Sequence, residues 1–249
     1  LRLSGEYNQA ESYLEDAVKH ERKIRHPEDY EILKTQSNLA VVYGFLGKYE
    51  RAIELLNRTI RLTRQNEGRQ SLFLAVQLNN LADIYFKIGQ YQRGMGLLYS
   101  AINIRTKIYG EDHHEVAFIA CNMARAFYDR GKRLGNRIPF MRAARLLESA
   151  LQKTTRGLGQ THPRIIKIRF LLSAVNCELG NYQRTLSILT TLIDPNRVKP
   201  LCEVSLRDAL LTPKNNQILD EKQRLNGISI LSDVLFAKGD LGKGLELAD

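Results

Sequence analysis

The sequence predicts an all-α fold, an α-solenoid of stacked antiparallel helix hairpins. Three observations predict it: a Gly-x-Tyr mark that returns every 42 residues, columns of Leu and small residues that move in step with it, and apolar positions spaced three, four and seven apart. The first marks are Gly5-Glu6-Tyr7, Gly47-Lys48-Tyr49 and Gly89-Gln90-Tyr91, and the next step of 42 lands on Gly131. There the following helix is expected to start late, at Phe140, because of an insertion of 7 residues around Lys132 to Pro139. The period then resumes at Tyr182 in Gly180-Asn181-Tyr182, and a sixth mark, Gly239-Asp240-Leu241, follows a further insertion of 17.

Each unit reads as helix A, a turn at the glycine, then helix B. Glycine suits that turn because it adopts the left-handed conformation that often ends a helix. Nine residues after the glycine stand Leu14, Leu56, Leu98, Leu147 and Leu189; five after it come Ala10, Ala52, Gly94, Ala143, Thr185 and Gly244. Eight before it stand Leu39, Leu81, Met123, Leu172 and Leu231, and four before it Tyr43, Tyr85 and Phe127. The small residues let helix A approach helix B, and the large ones fill the space between hairpins. One hairpin cannot bury its own apolar stripe, so neighbours must stack. The expected units lie near 1–30, 31–68, 69–110, 111–159, 160–194 and, degraded, 217–249. An irregular insertion over 195–216 separates the last two, with helical spacing from Leu201 to Leu211. Both ends look cut from something longer.

These columns resemble the tetratricopeptide repeat family, and within it the 42-residue repeats of kinesin light chains. Ile104-Arg105-Thr106-Lys107 running into Gly110-Glu111-Asp112-His113-His114-Glu115-Val116-Ala117 follows that branch's end of helix B and its loop, with His114 in place of a proline. Leu78-Asn79-Asn80-Leu81-Ala82 matches its helix A, and Gly157-Leu158-Gly159-Gln160-Thr161-His162-Pro163 repeats the loop. The resemblance implies a right-handed superhelix whose concave groove, lined by helix A, binds proteins or peptides in a cargo or adaptor role.

The resemblance places the exposed groove positions nine, six and three residues before the turn glycine. The first gives Asn38, Asn80 and Asn122, the second Val41, Asp83 and Arg125, and the third Gly44, Phe86 and Tyr128. An asparagine ladder offers donors and acceptors to an extended peptide backbone; the alternative is that these residues cap or pack within their own repeat. Lys34, Lys87 and Lys167 are expected to border the same face, with specificity pockets beside Phe86, Tyr128 and Phe170.

The 249 residues are 43% apolar and 26% charged, a composition that excludes a disordered chain. No run approaches 18 apolar residues, so no membrane span is expected, and the N-terminus has no signal-peptide layout. The 3 cysteines are too few and scattered for a disulfide framework or zinc site, which makes the cytoplasm the default setting. The net charge of +10 is local: Arg125, Arg130, Lys132, Arg133, Arg137, Arg142, Arg145, Lys153, Arg156, Arg164, Lys167 and Arg169 face only Asp129 and Glu148 in their window. Such a patch draws acidic partners, unless it is simply a set of solvated helix faces.

His113 and His114 are adjacent, so their side chains are expected to diverge, and no third ligand stands near them; no metal is expected. No phosphate loop or Ser/His/Asp set is visible, so neither enzymatic activity nor a cofactor is expected. The function expected is an interaction scaffold or adaptor that holds an extended acidic peptide. The alternatives are nucleic-acid binding through the 125–169 patch and a sensor arm of a larger signalling NTPase.

Overall fold

The computed structural model describes residues 2–193 and 219–237. It divides into two compact units, Leu1–Glu111 and Asp112–Asp249. In the first, α1 (Arg2–Ile24), α2 (Tyr30–Phe45), α3 (Tyr49–Asn66), α4 (Leu72–Lys87) and α5 (Tyr91–Tyr109) each pack on the next. In the second, α6 (His114–Leu134), α7 (Arg137–Leu158), α8 (Pro163–Glu178) and α9 (Tyr182–Ile193) do the same, and α10 (Glu221–Ala237) packs on α8 and α9. Helices α2, α4, α6, α8 and α10 are the A helices. The expected short helix at Leu201 to Leu211 and the mark at Gly239 lie outside the described residues.

The columns are the core. Leu56, Leu98, Leu147 and Leu189 are buried, as are Leu39, Leu81, Met123, Leu172 and Leu231. Ala52, Ala143 and Thr185 are buried too, and Thr185 Oγ1 donates to the Ser173 carbonyl across its hairpin at 3.3 Å. Burying one such Leu is worth about 1.5–3 kcal/mol, so the stack gains its cohesion from repeated apolar contacts rather than from one central core.

The Gly-x-Tyr turn has a specific backbone form. Gly47, Gly89 and Gly180 take positive φ of 76°, 81° and 77°. The next residue's N–H reaches back to the helix's third-last carbonyl: Lys48 to Tyr43 (2.9 Å), Gln90 to Tyr85 (2.8 Å) and Asn181 to Asn176 (2.9 Å). This is the Schellman closure, which satisfies orphan carbonyls and turns the chain directly into helix B.

Two marks fall elsewhere. Gly5 lies inside α1, and Gly131 lies inside α6, which runs on to a left-handed Gly135 (φ 59°) before α7 begins at Arg137. The inserted residues therefore lengthen helix A and start helix B earlier than Phe140. Gly131 serves close approach instead: a Cβ there would stand 2.7 Å from the Phe140 ring.

The A helices share one kind of start. Asp29, Ser71, His113, His162 and Asp220 each accept a hydrogen bond from a backbone N–H two or three residues on. In the two histidines the acceptor is Nδ1, so these caps require an unprotonated Nδ1. The His113 and His114 rings do not diverge; their centroids lie 4.2 Å apart.

Candidate peptide-binding face

In the first unit α2 and α4 lie side by side. A Cβ on Gly44 would stand 2.2 Å from Ile84 Cδ1, and Lys87 Nζ donates to the Gly44 carbonyl at 3.3 Å. Their outward faces form two rows in register, Lys34, Asn38, Val41 and Phe45 beside Val76, Asn80, Asp83 and Lys87. Asn38 is exposed and Asn80 half-buried, with Lys34, Phe45, Val76 and Asp83 exposed around them. Lys34 pairs with Glu31 at 3.5 Å, and Lys87 with Asp83 at 3.4 Å. Such exposed pairs are weak and exchange readily for a ligand.

The third expected groove position turns inward. Phe86 is only 9% exposed; its ring lies 2.4 Å from where a Gly94 Cβ would stand, so it fills the space that this glycine leaves between α4 and α5. Phe170 is likewise buried, within a cluster that includes Ile166, Leu186 and Leu231. Neither can line a pocket for a ligand. The helical period through Asn38 and Val41 continues to Phe45, one residue beyond Gly44, and Phe45 is 53% exposed. It stacks on Tyr7 at 4.7 Å and carries Lys87 Nζ 4.4 Å above its ring. This aromatic was legible in the sequence once the helical step, rather than a fixed distance from glycine, was followed.

In the second unit the same rows run along α6 and α8. Asn122 is half-buried, and Arg125 and Lys167 are exposed. Tyr128 is half-buried, edge-on to Phe140 at 5.7 Å, and burial pushes its phenol up. Arg164 Nη1 binds Glu115 Oε1 at 2.5 Å, and its guanidinium sits 4.9 Å from the Phe118 ring centroid.

The basic window is not one continuous patch. Arg169 is 7% exposed and donates to the Gln160 and Thr191 carbonyls at 3.3 and 3.2 Å and to Gln160 Oε1. It is a core residue, and burial lowers its pKa. Lys132 pairs with Glu178 (2.7 Å), which raises its pKa, and Lys153 with Asp112 (3.2 Å). Arg137 donates to the Leu179 carbonyl at 2.9 Å. Arg130, Arg133, Arg142, Arg145 and Arg156 are exposed around α6 and α7, with Arg142 5.9 Å above the Phe127 ring.

Among the described residues no group of three or more His, Cys, Asp or Glu is placed to hold a metal ion, and no helix is long and apolar enough to cross a membrane. Burial pushes the Cys121 thiol up to about 12 and Cys177 to about 11, far from the thiolate a nucleophile needs.

A family profile for the tetratricopeptide repeat matches residues 1–65 and 73–133. The chain belongs to the tetratricopeptide repeat family. Proteins of this family are generally interaction scaffolds without catalysis of their own. Among solved structures, TPR-like repeats assigned to a kinesin light chain of Podosopora anserina are 21% identical, with a TM-score of 0.63 over 90% of this chain and 94% of that one. BtubC (BKLC) from P. vanneervenii is 22% identical, with a TM-score of 0.60 over 81% and 82%. The apo form of RapI is 18% identical, with a TM-score of 0.59 over 98% and 68%. At these identities the likeness is one of fold. No curated protein is significantly similar in sequence.

Proposed function

We propose that this tetratricopeptide repeat chain is a docking module that holds an extended acidic peptide along the exposed face of its A helices. The observation that carries this reading is the pair of rows on α2 and α4, where Asn38 and Asn80 stand in register with lysines at the margins. An asparagine amide can bond a peptide's N–H and C=O together, and Phe45 and Val76 offer apolar contact beside it. In the second unit Asn122, Arg125 and Lys167 supply the same chemistry with more positive charge. The likeness to kinesin light chain repeats supports an adaptor role, and the reading carries a cytoplasmic setting.

The test is a selection of displayed peptides against the 249-residue chain, with the best binder re-measured on two double variants. Asn38→Ala with Asn80→Ala, and Arg125→Glu with Lys167→Glu, are each expected to weaken it at least tenfold, about 1.4 kcal/mol, with helicity unchanged. Undiminished affinity in both would overturn the reading. A second reading, nucleic acid, rests on the exposed Arg130, Arg133, Arg142, Arg145 and Arg156. It predicts oligonucleotide binding that falls steeply with salt and is unchanged in the Asn38→Ala, Asn80→Ala variant.

A further inference from the structure

A cleft of about 450 Å³ in the first unit is bounded by three helical stripes. Glu15, Val18, Lys19 and Arg22 come from α1; Gln36, Leu39 and Tyr43 from α2; Arg51, Glu54, Leu55 and Arg58 from α3. Each stripe runs over eight residues, seven helical steps or about 10 Å. It lies on the other side of α2 from the proposed peptide face, since Asn38 is two residues, about 200°, from Gln36 around the helix.

The cleft has two unlike ends. At one, Tyr43 Oη donates to Glu15 Oε1 at 2.8 Å, and the Arg51 guanidinium lies 5.7 Å from the Tyr43 ring centroid. These contacts fix the register of α2 against its antiparallel neighbours. Seven residues away on each stripe, Gln36 then comes level with Arg22 and Arg58. Glu15 is engaged by Tyr43, Lys19 by Asp16 at 3.3 Å and Glu21 by Thr35 at 3.1 Å, so Arg22 and Arg58 are the cations at the Gln36 end, with Glu54 one turn from Arg58 on α3. Between the ends lie Val18, Leu39 and Leu55.

Gln36 departs from the repeat. The same column, eleven residues before the glycine of the period, holds Leu78 and Ile228, both buried, and a half-buried Ala120, with Arg169 its other polar member. Gln36 is 1% exposed, and neither its Nε2 nor its Oε1 has a hydrogen-bond partner. A leucine would suit the site as core, whereas a buried amide left unpaired is costly.

We infer that this cleft is a binding site for a carboxylate with an apolar body, its head group held by Gln36 Nε2 between Arg22 and Arg58 and its body along Val18, Leu39 and Leu55. Gln36 donates to one carboxylate oxygen and the two guanidiniums neutralise the charge. The amide has no exposed surface, so the ligand reaches it only as neighbouring side chains part. Two sources share this chemistry: a free medium-chain organic acid, and an acidic residue preceded by apolar ones in a peptide.

The experiment titrates octanoate, acetyl-Leu-Leu-Glu-amide and, as the cationic counterpart, octylamine into the full 249-residue chain, followed by NMR of the Gln36 side-chain amide and the Leu39 and Leu55 methyls. A saturable shift with octanoate or with the peptide, and none with octylamine, is expected, and which anion binds tells the sources apart. Gln36→Leu is expected to raise the urea midpoint and weaken binding at least tenfold; Arg22→Glu with Arg58→Glu, both on exposed positions, is expected to weaken it equally without loss of fold. No shift with either anion at about 10 mM, or equal binding by either variant, overturns the assignment. None of these substitutions touches Asn38 or Asn80, so its failure is separable from failure of the peptide-face reading.

Discussion

Gln36 and Arg169 occupy the same place in the repeat, eleven residues before Gly47 and Gly180, one in each unit. Both are buried where the column otherwise holds apolar residues. Arg169 bonds to Gln160 and to the Thr191 carbonyl, and so ties α8 to its own N-terminal loop and to α9. Gln36 has no such partner. A core column thus accepts a polar side chain as structure when its partners come with it; when they do not, the side chain calls for a ligand. Charge alone does not sort the two, since the more costly group to bury is the one that is structurally satisfied.

The largest effect expected from breaking this comparison lies on the satisfied side. Arg169→Ala removes the donors from two carbonyls and leaves a cavity, and should destabilise the second unit by about 3 kcal/mol. Urea unfolding followed by circular dichroism, with amide exchange to locate the loss in α8 and α9, measures it. An unchanged midpoint would mean that the guanidinium is dispensable packing.

Next in size is the displaced elbow. A methyl at Gly131 would meet the Phe140 ring at 2.7 Å, whereas one at Gly135 meets nothing but must hold a φ of 59°. Gly131→Ala is therefore expected to cost about 2 kcal/mol by overpacking, and Gly135→Ala about 1 kcal/mol by backbone strain. The reverse ranking in unfolding midpoints would place the turn back at Gly131, where the 42-residue period sets it.

That elbow shows what periodicity can and cannot read. The Leu columns and the turns at Gly47, Gly89 and Gly180 were legible because one residue type at each position meets one physical demand. Gly131 kept its place in the period but met a different demand, close approach, which the same letter encodes. Phe86 and Phe170 were assigned to a surface because aromatic character does not say which way a helix faces. The same limit hid Arg169, whose Gln160 and Thr191 partners lie on either side of it in sequence and meet it only in the fold. The column of helix starts was visible in principle: Asp29, Ser71 and His113 are 42 apart, and two of the three are common capping residues.

A smaller effect sharpens the comparison from the unsatisfied side. Gln36→Leu restores the apolar member of the column and relieves two unpaired buried atoms, for a gain of about 1–2 kcal/mol. Few core substitutions stabilise, so a rise in midpoint together with lost carboxylate binding would separate a functional residue from a structural one. A fall in midpoint would show that Gln36 is held by the fold after all.

The smallest expected effect sets the two units apart by pH. In the first, Asp29 and Ser71 cap α2 and α4; in the second, His113 and His162 cap α6 and α8 through Nδ1. His114, beside them, has its pKa lowered, first by burial and then by His113, with the Arg164 and His162 charges acting the same way and Glu115 against them. A histidine whose folded-state pKa is depressed contributes stability that is whole above the ordinary value of about 6.5 and is lost as pH falls below it. Amide exchange between pH 7.5 and 5.5 should therefore show the start of α6, where His114 sits, loosening while those of α2 and α4 hold. His114→Asn does not titrate here and should flatten the change. If the wild-type helix starts loosen alike in both units, His114 contributes nothing specific and the acid response belongs to the chain as a whole.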